Sequence, residues 1–78
     1  MNNINDLRKS LRENPGRREE ICKQTGLTFS ALKRKLYKPG AFTFFEILIF
    51  RKIMHLTMDE TIKIFAPFVA NHNSKGEN

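Results

Sequence analysis

The sequence predicts an all-α domain built as a compact bundle of about five short helices with a helix-turn-helix at its centre. Three observations carry this expectation. Apolar residues recur at three- and four-residue spacing in successive stretches. Capping residues and Pro or Gly breakers cut the chain at short intervals. The most strand-like run, residues 41–50, lacks the alternation of a half-buried strand and flows without a break into Arg51-Lys52-Ile53-Met54.

The first helix is marked by Ile4, Leu7 and Leu11, which share one face. Asn14-Pro15-Gly16 ends it. Asn14 is then expected to cap the second helix, with Pro15 at its first position, where a missing N–H costs nothing. That helix carries Arg17 to Thr25, points Ile21 and Cys22 inward, and stops at Gly26 in the left-handed conformation. Thr28 is an N-cap candidate for the third helix, which runs to about Tyr37 on the anchors Leu32 and Leu36. Pro39-Gly40 closes it.

The fourth helix opens on Thr43-Phe44-Phe45-Glu46, a capping box in which the hydroxyl and the carboxylate each satisfy a free backbone N–H. It runs to about Met54. The fifth repeats the device in Thr57-Met58-Asp59-Glu60, with Met58, Ile62 and Phe65 as its expected face. Pro67 lacks a donor and disfavours helix at Ala66, so this helix is expected to stop or kink there. Residues 1–70 form the expected domain. Residues 71–78 have no apolar anchor and read as a disordered C-terminal tail.

A chain of 78 residues buries only about 60% of its unfolded surface, which weighs against a deep active site. Its 14 Lys and Arg against 8 Asp and Glu give a net charge of +6, which points to a polyanionic partner or an anionic membrane surface and does not choose between them. The charge is lopsided. Residues 1–38 hold ten basic and four acidic side chains, whereas residues 39–78 hold four of each. One cysteine, Cys22, excludes an intramolecular disulfide. The start of the chain has no secretory h-region, and no apolar run reaches the roughly 20 residues a spanning helix needs. A cytoplasmic protein is expected.

The informative segment is Ile21-Cys22-Lys23-Gln24-Thr25-Gly26-Leu27-Thr28-Phe29-Ser30-Ala31-Leu32. Two short helices meet at a glycine turn. Small Cys22 admits close packing, Gly26 takes the turn conformation, and Leu27 and Leu32 pin the following helix across the preceding one. Wound at about 100° per residue, the third helix turns Ser30, Lys33, Arg34 and Tyr37 away from the Leu32/Leu36 seam. An arginine there can reach guanine O6 and N7 in a bidentate contact, and Lys33 can donate to the same atoms. Phe29 fits either a thymine methyl contact or a core position beside Leu36. Phosphate contacts are expected from Arg17 and Arg18 at the start of the second helix, and from Thr28, Lys35, Tyr37 and Lys38 around the third.

In this segment the sequence resembles the lambda-repressor-like, Cro/Xre-type helix-turn-helix family. Ile-Cys-Lys-Gln-Thr-Gly-Leu-Thr (residues 21–28) is similar to that family's Leu-Ala-x-x-Thr-Gly-Leu-Ser. Leu32-Lys33-Arg34-Lys35-Leu36 is similar to its Leu-Ser-x-Lys-Leu, and residues 42–46 and 56–60 to its Phe-Thr-Leu-x-Glu and Ile-Ser-Leu-x-Glu-Leu endings. The resemblance spans roughly residues 4–66. Departures are Cys22 for the usual Ala, Phe45 and Ile49 at commonly polar positions, and His55 where Gly is frequent. The resemblance implies a third helix in the major groove, with base-reading positions at Phe29, Ser30, Lys33 and Arg34.

These readings converge on an expected sequence-specific regulator of transcription that binds double-stranded DNA as a homodimer. It would have no cofactor, no metal site, no small-molecule ligand and no membrane role. Nothing in the sequence proposes an enzyme, because no catalytic or metal-ligand spacing stands out. Cys22 reads as a small buried residue and His55 as a turn residue. The fourth helix is apolar over more than half its circumference, so Phe45, Ile49, Phe68 and Val69 are the expected dimer or partner interface. The alternative for Phe45 and Ile49 is an ordinary core contact with the first helix. A reading of a different class is a helical interaction module, antitoxin-like or adaptor, that binds a protein partner through that apolar patch. A variant lays residues 44–56 on an anionic membrane.

Overall fold

The computed structural model describes the backbone of residues 1–76 and the side chains of residues 1–68. Its helices are α1 (Ile4–Glu13), α2 (Pro15–Thr25), α3 (Phe29–Tyr37), α4 (Phe44–Ile53) and α5 (Met58–Gly76), with one 3-10 turn at Pro39–Ala41. No strand occurs among the described residues. The chain is all-α, as expected, and the strand-rich run ahead of residue 50 is the 3-10 turn followed by α4.

Each boundary has a local cause. Asn3 caps α1 by accepting from the Asp6 N–H at 2.9 Å. Both expected capping boxes form. Thr43 and Glu46 exchange bonds of 3.1 and 2.9 Å at the start of α4. Thr57 and Glu60 exchange bonds of 3.0 and 2.8 Å at the start of α5. Two expectations need correction. The Asn14 side chain does not cap α2. Its amide donates backwards to the Ser10 carbonyl at 2.8 Å and closes α1 instead. Nor does α5 stop at Pro67, which lies inside a helix continuous to Gly76. Pro67 and Lys63 are both exposed, so water can satisfy the Lys63 carbonyl that the proline leaves without a donor. Residues 71–76, read as tail, continue this backbone helix.

The end of α4 shows why His55 stands where it does. His55 has φ 56°, in the left-handed region. The Leu56 N–H donates to the Arg51 carbonyl at 2.9 Å, and the His55 N–H to the Lys52 carbonyl at 3.4 Å. These are the paired bonds of a Schellman motif, whose left-handed position usually holds glycine.

The core gathers on α4. Phe50 is fully buried, with Leu7 and Leu11 of α1, Ile21 of α2, Leu32 of α3 and Ile64 of α5 around it. Phe42, Phe50 and Phe65 meet edge-to-face, with ring centroids 5.0, 5.7 and 6.3 Å apart, the arrangement ring quadrupoles favour. The buried face of α5 is Thr61, Ile64 and Phe65. Met58 and Ile62, expected on that face, are exposed. Thr61 is buried at no cost because its hydroxyl donates to the Thr57 carbonyl at 2.8 Å.

A candidate nucleic-acid interface on the third helix

The site is built from the turn between α2 and α3. Gly26 has φ 81° and donates to the Cys22 carbonyl at 2.9 Å, ending α2. Thr25 completes the turn. Its hydroxyl donates to the Ile21 carbonyl at 2.7 Å and accepts from the Leu27 N–H at 3.2 Å. Thr28 then caps α3 by accepting from the Ala31 N–H at 3.1 Å. With Leu32 and Leu36 buried, α3 is held by one seam and presents its other side outward.

Ser30, Lys33, Arg34 and Tyr37 are exposed, as the helical winding predicts, and so is Lys38 beyond the end of α3. Arg17 is exposed and Arg18 half-buried at the start of α2. None of these cations makes an ion pair among the described residues, where the ion pairs are Met1–Glu60, Lys35–Glu46 and Lys63–Asp59. The outward side of α3 therefore carries unneutralised positive charge.

Phe29 is 51% exposed and so is not the core residue beside Leu36. The Arg18 guanidinium lies over its ring, 4.5 Å from the centroid. Lys35, expected to touch phosphate, is a correction. Its ammonium is held by both Glu46 carboxylate oxygens at 2.8 and 3.0 Å, so the charge is spent inside the fold. Burial pushes the Glu46 carboxyl up. The bonds from Lys35 and Thr43, with the Lys35 charge, outweigh it and hold Glu46 below its ordinary value. This pair ties α3 to α4.

The expected interface splits. Phe45 is 61% exposed, but Ile49 is 7% exposed and belongs to the core, which corrects its assignment. The broad apolar side of α4 that carries Ile49 and Phe50 packs inward, and Phe45, at its edge, stays outside. Phe44 and Leu48, which the winding sets near the polar strip with Arg51 and Lys52, are exposed beside Phe45, as that winding implies. Phe68 is half-buried and lines a shallow surface with the 3-10 turn. The Val69 side chain lies outside the described residues.

Sequence reasoning missed two arginines of α1. Arg8 donates to the Leu36 carbonyl at 2.6 Å, hydrogen-bonds the Asn5 side-chain oxygen, and stacks 4.7 Å from the Tyr37 ring centroid. It thereby holds the end of α3. Arg12 lines a groove with Arg18, Phe29 and Lys33. Their i, i+4 spacing beside Leu7 and Leu11 was the available signal, because it sets both on one edge of the buried seam.

Cys22 is half-buried, and burial raises its thiol above the ordinary value, which keeps it protonated and a poor nucleophile at neutral pH. Among the described residues no group of three or more His, Cys, Asp or Glu is placed to hold a metal ion, and no helix is long and apolar enough to cross a membrane. No family model matches the chain, and neither curated proteins nor solved structures give a match.

Proposed function

We propose that this chain is a sequence-specific double-stranded DNA-binding regulator, with α2 and α3 as a helix-turn-helix of the Cro/Xre type. The observation that carries this reading is the outward side of α3, where Ser30, Lys33 and Arg34 stand exposed and no acid neutralises them. A helix of this width fits the major groove. Arg34 offers a bidentate donor to guanine, Lys33 a second donor, and Ser30 a short adaptable group. Arg17, Arg18 and Lys38 supply phosphate contacts that orient the domain and make its affinity salt-dependent. The exposed Phe44, Phe45 and Leu48 are the surface through which two copies would associate, leaving both α3 helices free. The half-sites would then lie about 34 Å apart, or at a multiple of it.

The second reading, an interaction module for another protein, draws on the same exposed patch of α4. Selection of random duplex DNA by the purified chain separates the two. The regulator reading expects an enriched two-fold motif. Recovery of unenriched sequence, with binding to every duplex weak and equal, contradicts it.

A further inference from the structure

Beside the outward side of α3 runs a second feature, on the edge that faces α1. A groove of about 210 Å³ is lined by Arg8, Arg12, Arg18, Phe29, Lys33 and Tyr37, among others, and by no carboxylate. Four cations around two aromatic rings, with no acid among the lining residues, make a strong local positive field. Only one of the four is spent. Arg8 serves the Leu36 carbonyl, Asn5 and the Tyr37 ring. Arg12, Arg18 and Lys33 make no side-chain hydrogen bond or ion pair among the described residues.

Phe29 has a defined place in this groove. Its ring carries the flat face of the Arg18 guanidinium at 4.5 Å. A guanidinium stacked by its face keeps its N–H edge free, and that edge matches two oxygens of a phosphate. Stacking also removes much of the rotamer freedom that an exposed arginine would lose on binding.

We propose that this groove is a phosphate seat that grips the DNA backbone beside the reading side of α3. Arg12 and Arg18 are the donors, and Phe29 is the platform that aims Arg18 rather than a reader of bases. The proposal rests on the DNA-binding reading and extends its footprint to α1. The source is the duplex backbone rather than a free phosphorylated molecule because Lys33 belongs both to the groove and to the outward side of α3. A strand edge flanking the occupied major groove would run past that residue.

The test is duplex affinity against salt concentration, on the selected and on a scrambled duplex, for the wild type, Arg12→Ala, Arg18→Ala, Phe29→Leu and the Arg18→Ala/Phe29→Leu pair. Arg12→Ala is expected to lower the salt slope by about one unit on both duplexes, which shrinks the affinity change between 50 and 200 mM salt about 3–4-fold. Phe29→Leu keeps an apolar side chain and is expected to lower the slope without changing the ratio of selected to scrambled affinity. The pair should do no more than Arg18→Ala alone, because both changes remove one contact. An unchanged slope in Arg12→Ala overturns the seat. So does a Phe29→Leu protein that keeps its slope but shifts its base preference, which makes Phe29 a reader. A parallel titration with inorganic phosphate, followed on the arginine side-chain N–H resonances, decides the source. Saturation of Arg12 and Arg18 without DNA assigns the groove to a free phosphorylated ligand and overturns the proposal. If the wild type itself binds neither duplex, the DNA reading falls first and the seat with it.

Discussion

Two residues in the left-handed region fix the ends of α2 and α4, and they behave oppositely on substitution. At Gly26 no atom beyond the adjoining residues lies within 4 Å of where a Cβ would stand, so a side chain there meets open space. The whole cost is the backbone at φ 81°. Gly26→Val is therefore expected to destabilise the domain by about 1–2 kcal/mol, read as a lower thermal midpoint. An unchanged midpoint would contradict the turn geometry. His55 already bears that cost, and its side chain is exposed. His55→Gly is expected to raise stability by up to about 1 kcal/mol, since the strain removed exceeds the entropy glycine adds. Loss of stability in that variant would mean the imidazole makes a contact the fold needs.

At this scale much was legible in the sequence. Gly26, Thr28 and both Thr/Glu boxes announce themselves because a cap needs only its own few neighbours. Asn14 was misread because its amide can serve either the helix before it or the one after. Local sequence does not choose between two such acceptors, whereas the path of the chain through Pro15 does.

At the scale of elements, α3 is fixed by four devices: its buried leucines, the Thr25–Thr28 turn, the Arg8 bond to the Leu36 carbonyl, and the Lys35–Glu46 pair to α4. The last was not legible, because Glu46 is fully explained by its capping role and Lys35 by its place in a basic run. Only the packing of α3 on α4 shows that one carboxylate does both jobs. Folding lowers the Glu46 pKa, so the folded state favours the ionised carboxylate. Its contribution is complete above the ordinary value near 4.5 and is lost as acid titrates it through the lower folded value. Glu46→Gln is expected to cost about 1–3 kcal/mol at neutral pH, because it leaves the Lys35 ammonium half-buried without its counter-charge. It should also flatten the stability curve below pH 4.5, as measured by denaturant unfolding across acid pH. Equal acid sensitivity in wild type and variant would show that other carboxylates govern that limb.

The fifth helix was misjudged at Met58 and Ile62 of its expected face, though not at Phe65, and at its end. Met58, Ile62 and Phe65 fit helical spacing, but so do Thr61, Ile64 and Phe65, and a hydroxyl that bonds its own helix can be buried as readily as an apolar group. Pro67 was read as a stop or a kink, and the stop does not occur; a proline costs an interior helix about 3 kcal/mol in general. Its exposure lets solvent offset part of that.

For the whole molecule, the lopsided charge along the sequence becomes a lopsided surface. The basic first half supplies α1, α2 and α3, and the exposed aromatic patch sits on α4. That division was readable from composition. So was the rotation of α4, whose winding sets Phe44 and Leu48 beside Arg51 and Lys52. What was not readable is which residues at the edge of the apolar side stay outside, where Phe45 does and Ile49 does not. The dimer proposed above predicts that the wild type sediments as a dimer and that Phe44→Ser/Phe45→Glu sediments as a folded monomer. Both residues are exposed, so the fold should survive the change. A wild type that stays monomeric at high concentration contradicts association through this patch.

The central claim is that the outward side of α3 reads base pairs, and Arg34→Ala tests it most directly. Measured on the selected duplex and on its single-base variants, the substitution is expected to weaken binding by about 1–3 kcal/mol and to relax preference at one position of the site. A variant that keeps both its affinity and its base preference would contradict the account.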